Sequence, residues 1–154
     1  MKLGEALTLR SQLQVKFQQL RERLKASAVV QEGEAPPEDP TMLLAELEAV
    51  GGELEALIAR INKTNLATHL ADGLTLTEAL ARRDHLAWLQ GALHQVAETA
   101  SVAHARYGKA ELRMVRTVEV STLRHRADDL AKERRTLDAR IQEVNWLTEL
   151  VSKG

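Results

Sequence analysis

Residues 40–64 read PTMLLAELEAVGGELEALIARINKT, and their apolar side chains recur three and four positions apart. That spacing places them on one side of an α-helix, while the acidic residues between them stay in water. Asp39 is of the residue type that caps a helix, and Pro40 suits the first turn, where its missing N–H has no helical partner. The stretch therefore predicts a helix over 40–64 with this core-facing stripe: Leu43, Leu47, Val50, Leu54, Leu57, Ile58 and Ile61.

The same spacing predicts three further helices, over residues 3–26, 75–103 and 121–151. The third helix begins at a capping box, in which the Thr75 hydroxyl accepts from the backbone N–H of Glu78 and the Glu78 side chain accepts from Thr75 in return. Ser121 is the predicted N-cap of the fourth helix. The predicted stripes of these two helices are Leu80, Leu86, Leu89, Leu93, Val96 and Ala100, and then Leu123, Ala127, Leu130, Leu137, Ile141, Val144 and Leu147.

Composition supports a helical fold. The chain has 154 residues, the size of one domain, so residues 1–154 are predicted to form a single helical domain. Aromatic residues make up 3% of the chain and charged residues 28%, so the core must consist of Leu, Ile, Val and Ala. The predicted fold class is mainly all-α, with four long amphipathic helices in a bundle or in helical hairpins. Gly51 and Gly52 mark either a close approach of another helix or a place that tolerates glycine.

One stretch, ELRMVRTVEVS at residues 111–121, fits a helix poorly. Its valines and threonine predict a strand over 111–120, and the best partner for that strand is AVVQEG at residues 28–33. Residues 32–55 carry eight acidic residues and no Lys or Arg, whereas residues 106–126 carry six basic residues against two acidic ones. Two short strands alone are marginal, so this small two-stranded β element should pack on helices or cross a subunit boundary. The sequence thus predicts a homo-oligomer, a dimer or a ring of dimers.

Several functional classes are disfavoured. A formal net charge of −1 lacks the positive field of a general nucleic-acid binder. The absence of cysteine indicates a cytoplasmic protein, and no apolar run approaches the roughly 18 residues of a membrane span. The histidines stand too far apart for helical metal-binding pairs, and phosphate loops, dinucleotide fingerprints and nucleophile elbows are missing. The sequence therefore predicts no metal and no cofactor, and it favours a non-enzymatic protein over an enzyme.

Polar residues nevertheless fall on or beside the apolar stripes. A buried amide or guanidinium must be hydrogen-bonded, or it costs several kcal/mol. In one interpretation these residues pair with each other or with helix ends and set the register of the helices. In the other they form a small polar pocket at the end of the bundle, with an arginine as anion anchor, asparagines as orienting amides and a tryptophan as a wall. The candidate pocket residues are Arg10, Asn62, Asn65, Arg83, Asp84, Asn145 and Trp146.

Five strings are distinctive in combination: KLGEAL, VQEGEAPPEDP, INKTN, DGLTLTEALARRD and ADDLAKERRTLDARIQEVNW. Through them the chain resembles, from Lys2 to about Leu150, the small bacterial proteins that carry the name septicolysin and whose function is not established. The resemblance implies a mainly helical protein and transfers no catalytic residue. The family name suggests a cytolysin.

Three functions follow as hypotheses. The leading one is a self-associating helical protein that acts as a structural or interaction module, because amphipathic helices and complementary charged segments are present. The alternative is a small-molecule binding protein or enzyme that uses the polar pocket, with a ligand that the sequence does not identify. The third, a membrane-lytic protein, is disfavoured because the helices carry Arg or Glu at nearly every turn outside their narrow apolar stripes.

Overall fold

The computed structural model describes residues 1–105 and 114–152, with the side chains of all of these except residues 103–105. Four α-helices are present in the described part of the chain, which confirms the predicted all-α architecture. Their bounds lie within a few residues of the predicted ones, apart from the end of the fourth. The helices are α1, Leu3–Ser27; α2, Pro40–Ala67; α3, Leu76–Ala105; and α4, Val120–Leu147.

Two helix starts follow from local chemistry as predicted. Asp39 caps α2, because its carboxylate accepts from the Thr41 backbone N–H at 2.9 Å and Pro40 occupies the first turn. The capping box before α3 is also formed: the Thr75 N–H donates to the Glu78 carboxylate at 2.8 Å, and the Glu78 N–H donates to the Thr75 hydroxyl at 3.2 Å. These contacts satisfy backbone N–H groups that have no helical partner.

The chain divides into two compact units, one of Met1–His69 with Val144–Gly154 and one of Leu70–Glu143. In the first unit α1 and α2 run antiparallel, as shown by the ion pairs of Lys16 with Glu46 and of Arg23 with Glu38. Most buried residues of both helices recur every seven positions, which keeps the two stripes facing each other along the pair. These are Ala6, Leu13, Leu20 and Ser27 in α1, and Leu43, Val50, Leu57 and Thr64 in α2; Leu3, Gly4 and Ile61 are buried beside this series.

The second unit contains α3 and most of α4, also antiparallel. Arg124, near the start of α4, donates to the Ser101 hydroxyl at 3.3 Å near the end of α3, whereas Asp138, further along α4, pairs with Arg83 at 3.2 Å near the start of α3. Near the start of α4, Val120 and the partly buried Leu123 pack against small α3 residues, Ala97 and Ala100. Small side chains on α3 at this point let the beginning of α4 approach closely.

The prediction of a two-stranded β element is wrong, as far as the structure describes residues 28–33 and 111–120. Residues 28–33 form a turn in which Gly33 has a φ of +89°, and residues 114–119 are exposed and irregular. Residues 111–113 of the predicted strand lie outside the described residues. The valine-rich stretch leads directly into α4, which begins at Val120, and Glu119 takes the capping position predicted for Ser121 by accepting from the Ser121 N–H at 3.4 Å. Strand propensity depends on a pairing partner, and the described backbone has none here.

The fourth helix ends at Leu147, earlier than the predicted residue 151, because the chain then pairs with the N-terminal residues. The Leu3 N–H donates to the Thr148 carbonyl at 2.9 Å, and the Leu150 N–H donates to the Met1 carbonyl at 2.9 Å. This isolated antiparallel bridge is centred on Lys2 and Glu149. We call residues 1–3 and 148–151 the terminal clasp. A strand-like bridge therefore occurs at the terminal clasp, and not in the valine-rich stretch for which a strand was predicted.

The terminal clasp is also tied to the end of α2. The Arg60 guanidinium donates to the Val151 carbonyl at 2.9 Å, and the Val151 N–H donates to the Thr64 hydroxyl at 3.1 Å. Thr64 is buried, and its hydroxyl donates in turn to the Arg60 carbonyl at 2.8 Å. The buried Thr64 hydroxyl thus donates to one backbone carbonyl and accepts from the Val151 N–H, which gives that N–H of the terminal clasp a hydrogen-bond partner.

Ser27, the last residue of α1, provides a stability test, since its buried hydroxyl has no hydrogen-bond partner among the described residues. Ser27→Ala should raise the free energy of unfolding by about 1 kcal/mol, because it removes an unpaired hydroxyl and improves helix propensity. Urea unfolding measures this change. Ser11→Ala is the control: Ser11 is exposed and its hydroxyl donates to the Leu7 carbonyl at 3.3 Å, so this variant loses a hydrogen bond and should gain less. A loss of stability in Ser27→Ala would show that the hydroxyl is paired.

The terminal clasp should make stability depend on pH. The Glu149 carboxylate lies 2.7 Å from the Lys2 amine and 3.3 Å from the α-amino group. The hydrogen bond from Lys2, and then that from the α-amino group, hold the pKa of Glu149 below its ordinary value. A carboxyl with a lowered folded-state pKa stabilises the fold above the unfolded-state pKa of about 4.3, and this contribution is lost as pH falls through the folded-state value.

Glu149→Gln should therefore be less stable than the unmodified protein at neutral pH and low salt, with the difference shrinking as pH falls below about 4.3. Added salt should also reduce the difference, since the carboxylate is exposed. Denaturant unfolding across a pH series measures the effect. Glu143→Gln, at an exposed α4 glutamate with no ion pair in the described part of the chain, should show a smaller difference. Equal pH profiles for the two variants would contradict the assignment.

Candidate functional site

The seven residues of the predicted polar pocket divide between the two units. Arg83 and Asp84 lie in the second unit, and the other five belong to the first. Among those five, Asn145 is buried at 5% exposure, as its place on an apolar stripe indicated. Asn62 is exposed, while Asn65 and Arg10 are half-buried. No hydrogen bond or ion pair in the described part of the chain joins any two of these first-unit residues, so the structure does not connect them through polar contacts.

Trp146, predicted as a pocket wall, lies against the first turn of α1. A Cβ built on Gly4 would come within 2.9 Å of the Trp146 ring, so glycine at this position leaves room for the indole. Gly4 itself is buried, while Trp146 keeps 56% of its surface exposed. The ring thus covers the helix backbone next to the terminal clasp and remains accessible to solvent on its other side.

Arg83, predicted as an anion anchor, already has two carboxylate partners. Its guanidinium donates to Asp84 at 3.3 Å on the same helix and to Asp138 at 3.2 Å on α4. Arg134 and Arg135 line the same small cavity, of about 270 Å³. An incoming anion would compete with both aspartates for Arg83, so this arginine acts here as a link between α3 and α4.

A double-mutant cycle tests that assignment. Arg83→Ala and Asp138→Ala should show a coupling free energy of about 0.3 to 1 kcal/mol, the usual value for a partly exposed ion pair. Urea unfolding of the two single variants and the double variant gives this energy. Arg135→Ala is the control, because Arg135 lines the cavity without an ion pair in the described part of the chain, and it should not couple to Asp138. Zero coupling for Arg83 with Asp138 would contradict the link.

A larger polar cavity, of about 560 Å³, lies between α3 and α4 in the second unit. Its charged groups are largely paired: Arg140 binds Asp72 at 2.9 Å, and Arg82 binds Glu133. The hydrogen bond from Arg140 lowers the pKa of Asp72, which keeps that carboxylate ionised. Four basic and three acidic side chains line the cavity, so its positive and negative charges nearly cancel. These side chains are Asp72, Arg82, Arg126, Asp129, Lys132, Glu133 and Arg140.

The least polar cavity described is a groove on the outer face of α3, with a volume of about 550 Å³. The prediction that Val96 lies in the core is wrong: Val96 is 45% exposed and lines this groove, and the neighbouring Ala97 is buried. Trp88, two turns before Val96 on the same face, is 74% exposed. We call this cavity the α3 groove, and its lining residues are Ala92, Gln95, Val96, Thr99, Ala100, Val115, Arg116, Thr117 and Val118.

The valine-rich segment forms the second wall of the α3 groove. The Arg116 guanidinium donates to the Ala100 carbonyl at 3.0 Å, which holds the segment against the helix. Val115 and Val118 line the groove and stay exposed. Sequence reasoning missed this site because it placed Val96 in the core and the valines in a strand. The available signal was a second apolar line on α3, formed by Trp88, Ala92 and Val96 at intervals of four.

The described part of the chain contains neither a metal-binding cluster nor a membrane-spanning helix. In residues 1–105 and 114–152, no group of three His, Asp or Glu side chains is arranged to hold a metal ion. None of the helices, as far as the structure describes them, is both long enough and apolar enough to cross a membrane. These features define a helical protein made of antiparallel helix pairs with an accessible apolar groove.

The chain belongs to DUF6847, a family of unknown function, whose sequence profile matches residues 10–150. It is also similar to a solved structure, the crystal structure of a functionally unknown conserved protein from Corynebacterium diphtheriae. The two chains are 38% identical with a TM-score of 0.91, and the similarity covers 98% of this chain and 99% of the other. We found no match among curated proteins. The family and the fold are thus established, and neither relative carries an assigned activity.

Proposed function

We propose that this protein is a non-enzymatic, self-associating interaction module, and that the α3 groove is its contact surface. The observation that carries this proposal is the exposure of Trp88, Val96, Val115 and Val118 on one side of the second unit. Scattered exposed apolar residues are normal, but a continuous apolar groove usually marks a binding surface. Burial of these side chains against another chain would stabilise a complex by removing apolar surface from water.

The distribution of charged groups supports a binding role over catalysis. Arg82, Arg83 and Arg140 all engage carboxylates, so these cations hold helices together in the second unit. Enzyme sites instead place titratable groups with strongly shifted pKa values in a cleft. The shifts resolved for described groups concern exposed ion pairs, such as those of Glu38 and Glu149. These groups fit a structural role in the folded chain.

Three finer assignments belong to the same proposal. The seven-residue spacing of buried positions in α1 and α2 supports a short antiparallel coiled coil. The absence of cysteine supports a cytoplasmic location. The shared strings, KLGEAL and INKTN among them, support kinship with the septicolysin-named proteins. A lytic mechanism is disfavoured, since it needs a segment able to enter the bilayer with its charged groups compensated.

The alternative, a small-molecule binding protein, draws its support from the cavity of about 560 Å³ in the second unit, which lies within the usual size range of ligand sites. The original pocket hypothesis is weaker, because Arg83 is engaged by two aspartates. A metabolite that bound the folded state would stabilise it by RT ln(1 + [L]/Kd) and so raise the melting temperature as its concentration exceeded Kd. A screen for such shifts separates this alternative from self-association.

Light scattering across micromolar concentrations tests the leading proposal. The mass should exceed the monomer value of 17.1 kDa and rise with concentration. Val96→Gln should raise the dissociation constant about five- to thirtyfold, because a buried valine contributes about 1 to 2 kcal/mol. Val15→Gln, at an exposed valine of α1 that does not line the groove, is the matched control and should associate normally. A constant monomer mass at every concentration would overturn the proposal.

A further inference from the structure

A second exposed surface runs along α2, opposite the face that packs on α1. Its members recur three and four positions apart, and every one of them is exposed. Most are small, and a large apolar side chain, Met42, stands at one end with 71% of its surface exposed. We call this set the α2 surface, and it consists of Met42, Ala45, Ala49, Gly52, Ala56 and Ala59.

The fold of one chain gives this surface no packing partner in the described residues. A Cβ added to Gly51 would make an ordinary contact with Phe17 at 3.5 Å, whereas one added to Gly52 would meet nothing within 4 Å. The packing of α1 on α2 therefore does not require glycine at position 52. Glycine there costs helix stability relative to alanine. An uncovered backbone at this point instead permits a bulky side chain from outside to approach the helix closely.

We propose that the α3 groove of one copy receives the α2 surface of a second copy of the same chain. This inference rests on the proposed self-association and names the two faces that meet. In this contact, Met42 fills the α3 groove and Trp88 lies against the open backbone at Gly52. Each large exposed side chain thereby meets an open site on the other copy, as in the pairing of hot spots across interfaces.

The spacing of the two contact points agrees between the two helices. Met42 and Gly52 are ten residues apart, which is about 15 Å along a helix at 1.5 Å per residue. Trp88 and Val96, at the centre of the groove, are eight residues apart, or about 12 Å by the same measure. The two helices can therefore lie side by side with both contacts made at once.

Charge favours this mixed contact over two symmetric ones, in which α2 would meet α2 of the other copy or the groove would meet the other groove. Four of the six α2 surface residues lie within residues 32–55, which hold eight acidic residues and no Lys or Arg. The groove includes Arg116 from residues 106–126, which hold six basic and two acidic residues. Glu48 and Glu55 flank the α2 surface and form no ion pair in the described part of the chain. Pairing α2 with α2 would oppose two acidic segments, and pairing groove with groove would oppose two basic ones. Opposite charges favour the mixed contact.

A substitution at Gly52 tests the contact without weakening the monomer. Gly52→Gln adds a long side chain where the single chain leaves open space, and glutamine forms helices better than glycine, so the melting temperature should not fall. The dissociation constant, measured by sedimentation equilibrium, should rise about tenfold or more because the side chain holds the helices apart. Gly52→Ala is the control: it makes a similar change in helix propensity, stays small and should associate nearly as well as the unmodified protein.

The outcomes separate this inference from the proposed function. If the unmodified protein is a monomer throughout, both fail. If it associates and Gly52→Gln associates equally well, the α2 surface is not the partner, and self-association stands alone. Weakening by Gly52→Gln but not by Val96→Gln would instead indicate that α2 pairs with α2, and it would overturn the mixed contact.

A mixing experiment completes the test. Gly52→Gln retains an intact groove, and Val96→Gln retains an intact α2 surface, so a mixed pair has one undamaged contact while either variant alone has none. Sedimentation of the mixture should show more complex than either variant gives separately at the same total concentration. Equal amounts in all three samples would contradict a contact between α2 of one copy and α3 of another.

Discussion

The structure depends on burying narrow apolar stripes between antiparallel helices. In α1 and α2 most buried positions recur every seven residues, so each helix contributes a narrow stripe of side chains to the core. Aromatic residues make up only 3% of the chain, and the stripe consists mainly of aliphatic side chains, with the half-buried Phe17 beside Gly51. The stability of such a pair comes from many small contacts along its length. Because the core is narrow, most of the surface of each helix lies outside it. The residues there can form contacts with other molecules.

Polar contacts complete the fold where the stripes run out. At the terminal clasp, Lys2 and Glu149 join the first and last parts of the first unit, and Thr64 and Arg60 satisfy backbone groups near Val151. In the second unit, Arg83 links α3 to α4 through Asp138. These interactions are individually modest because they lie near water. Their main effect is to set the register and the ends of helices that leucine and alanine alone would allow to slide.

The proposed self-association rests on two exposed surfaces. The α3 groove combines apolar walls with Arg116, and the α2 surface combines small residues with flanking glutamates. Apart from Ala100, the residues of both surfaces lie outside the buried core of their own helix pair, and the groove carries a basic side chain where the α2 surface has acidic neighbours. Helices that are apolar on two faces are common in assemblies, where the second face is covered by another chain.

The sequence by itself determined the helices, their caps at Asp39 and Thr75, and the stripe of α2, because these depend on residues a few positions apart. It also indicated that Asn145 stands on an apolar stripe. Tertiary structure decided what depends on distant neighbours: the clasp that ends α4 at Leu147, the exposure of Val96, and the use of the valine-rich segment as the wall of a groove. A valine fits a strand, a core or an exposed groove equally well in local terms. Only the position of the elements packed around it distinguishes these environments, and that position follows from long-range contacts.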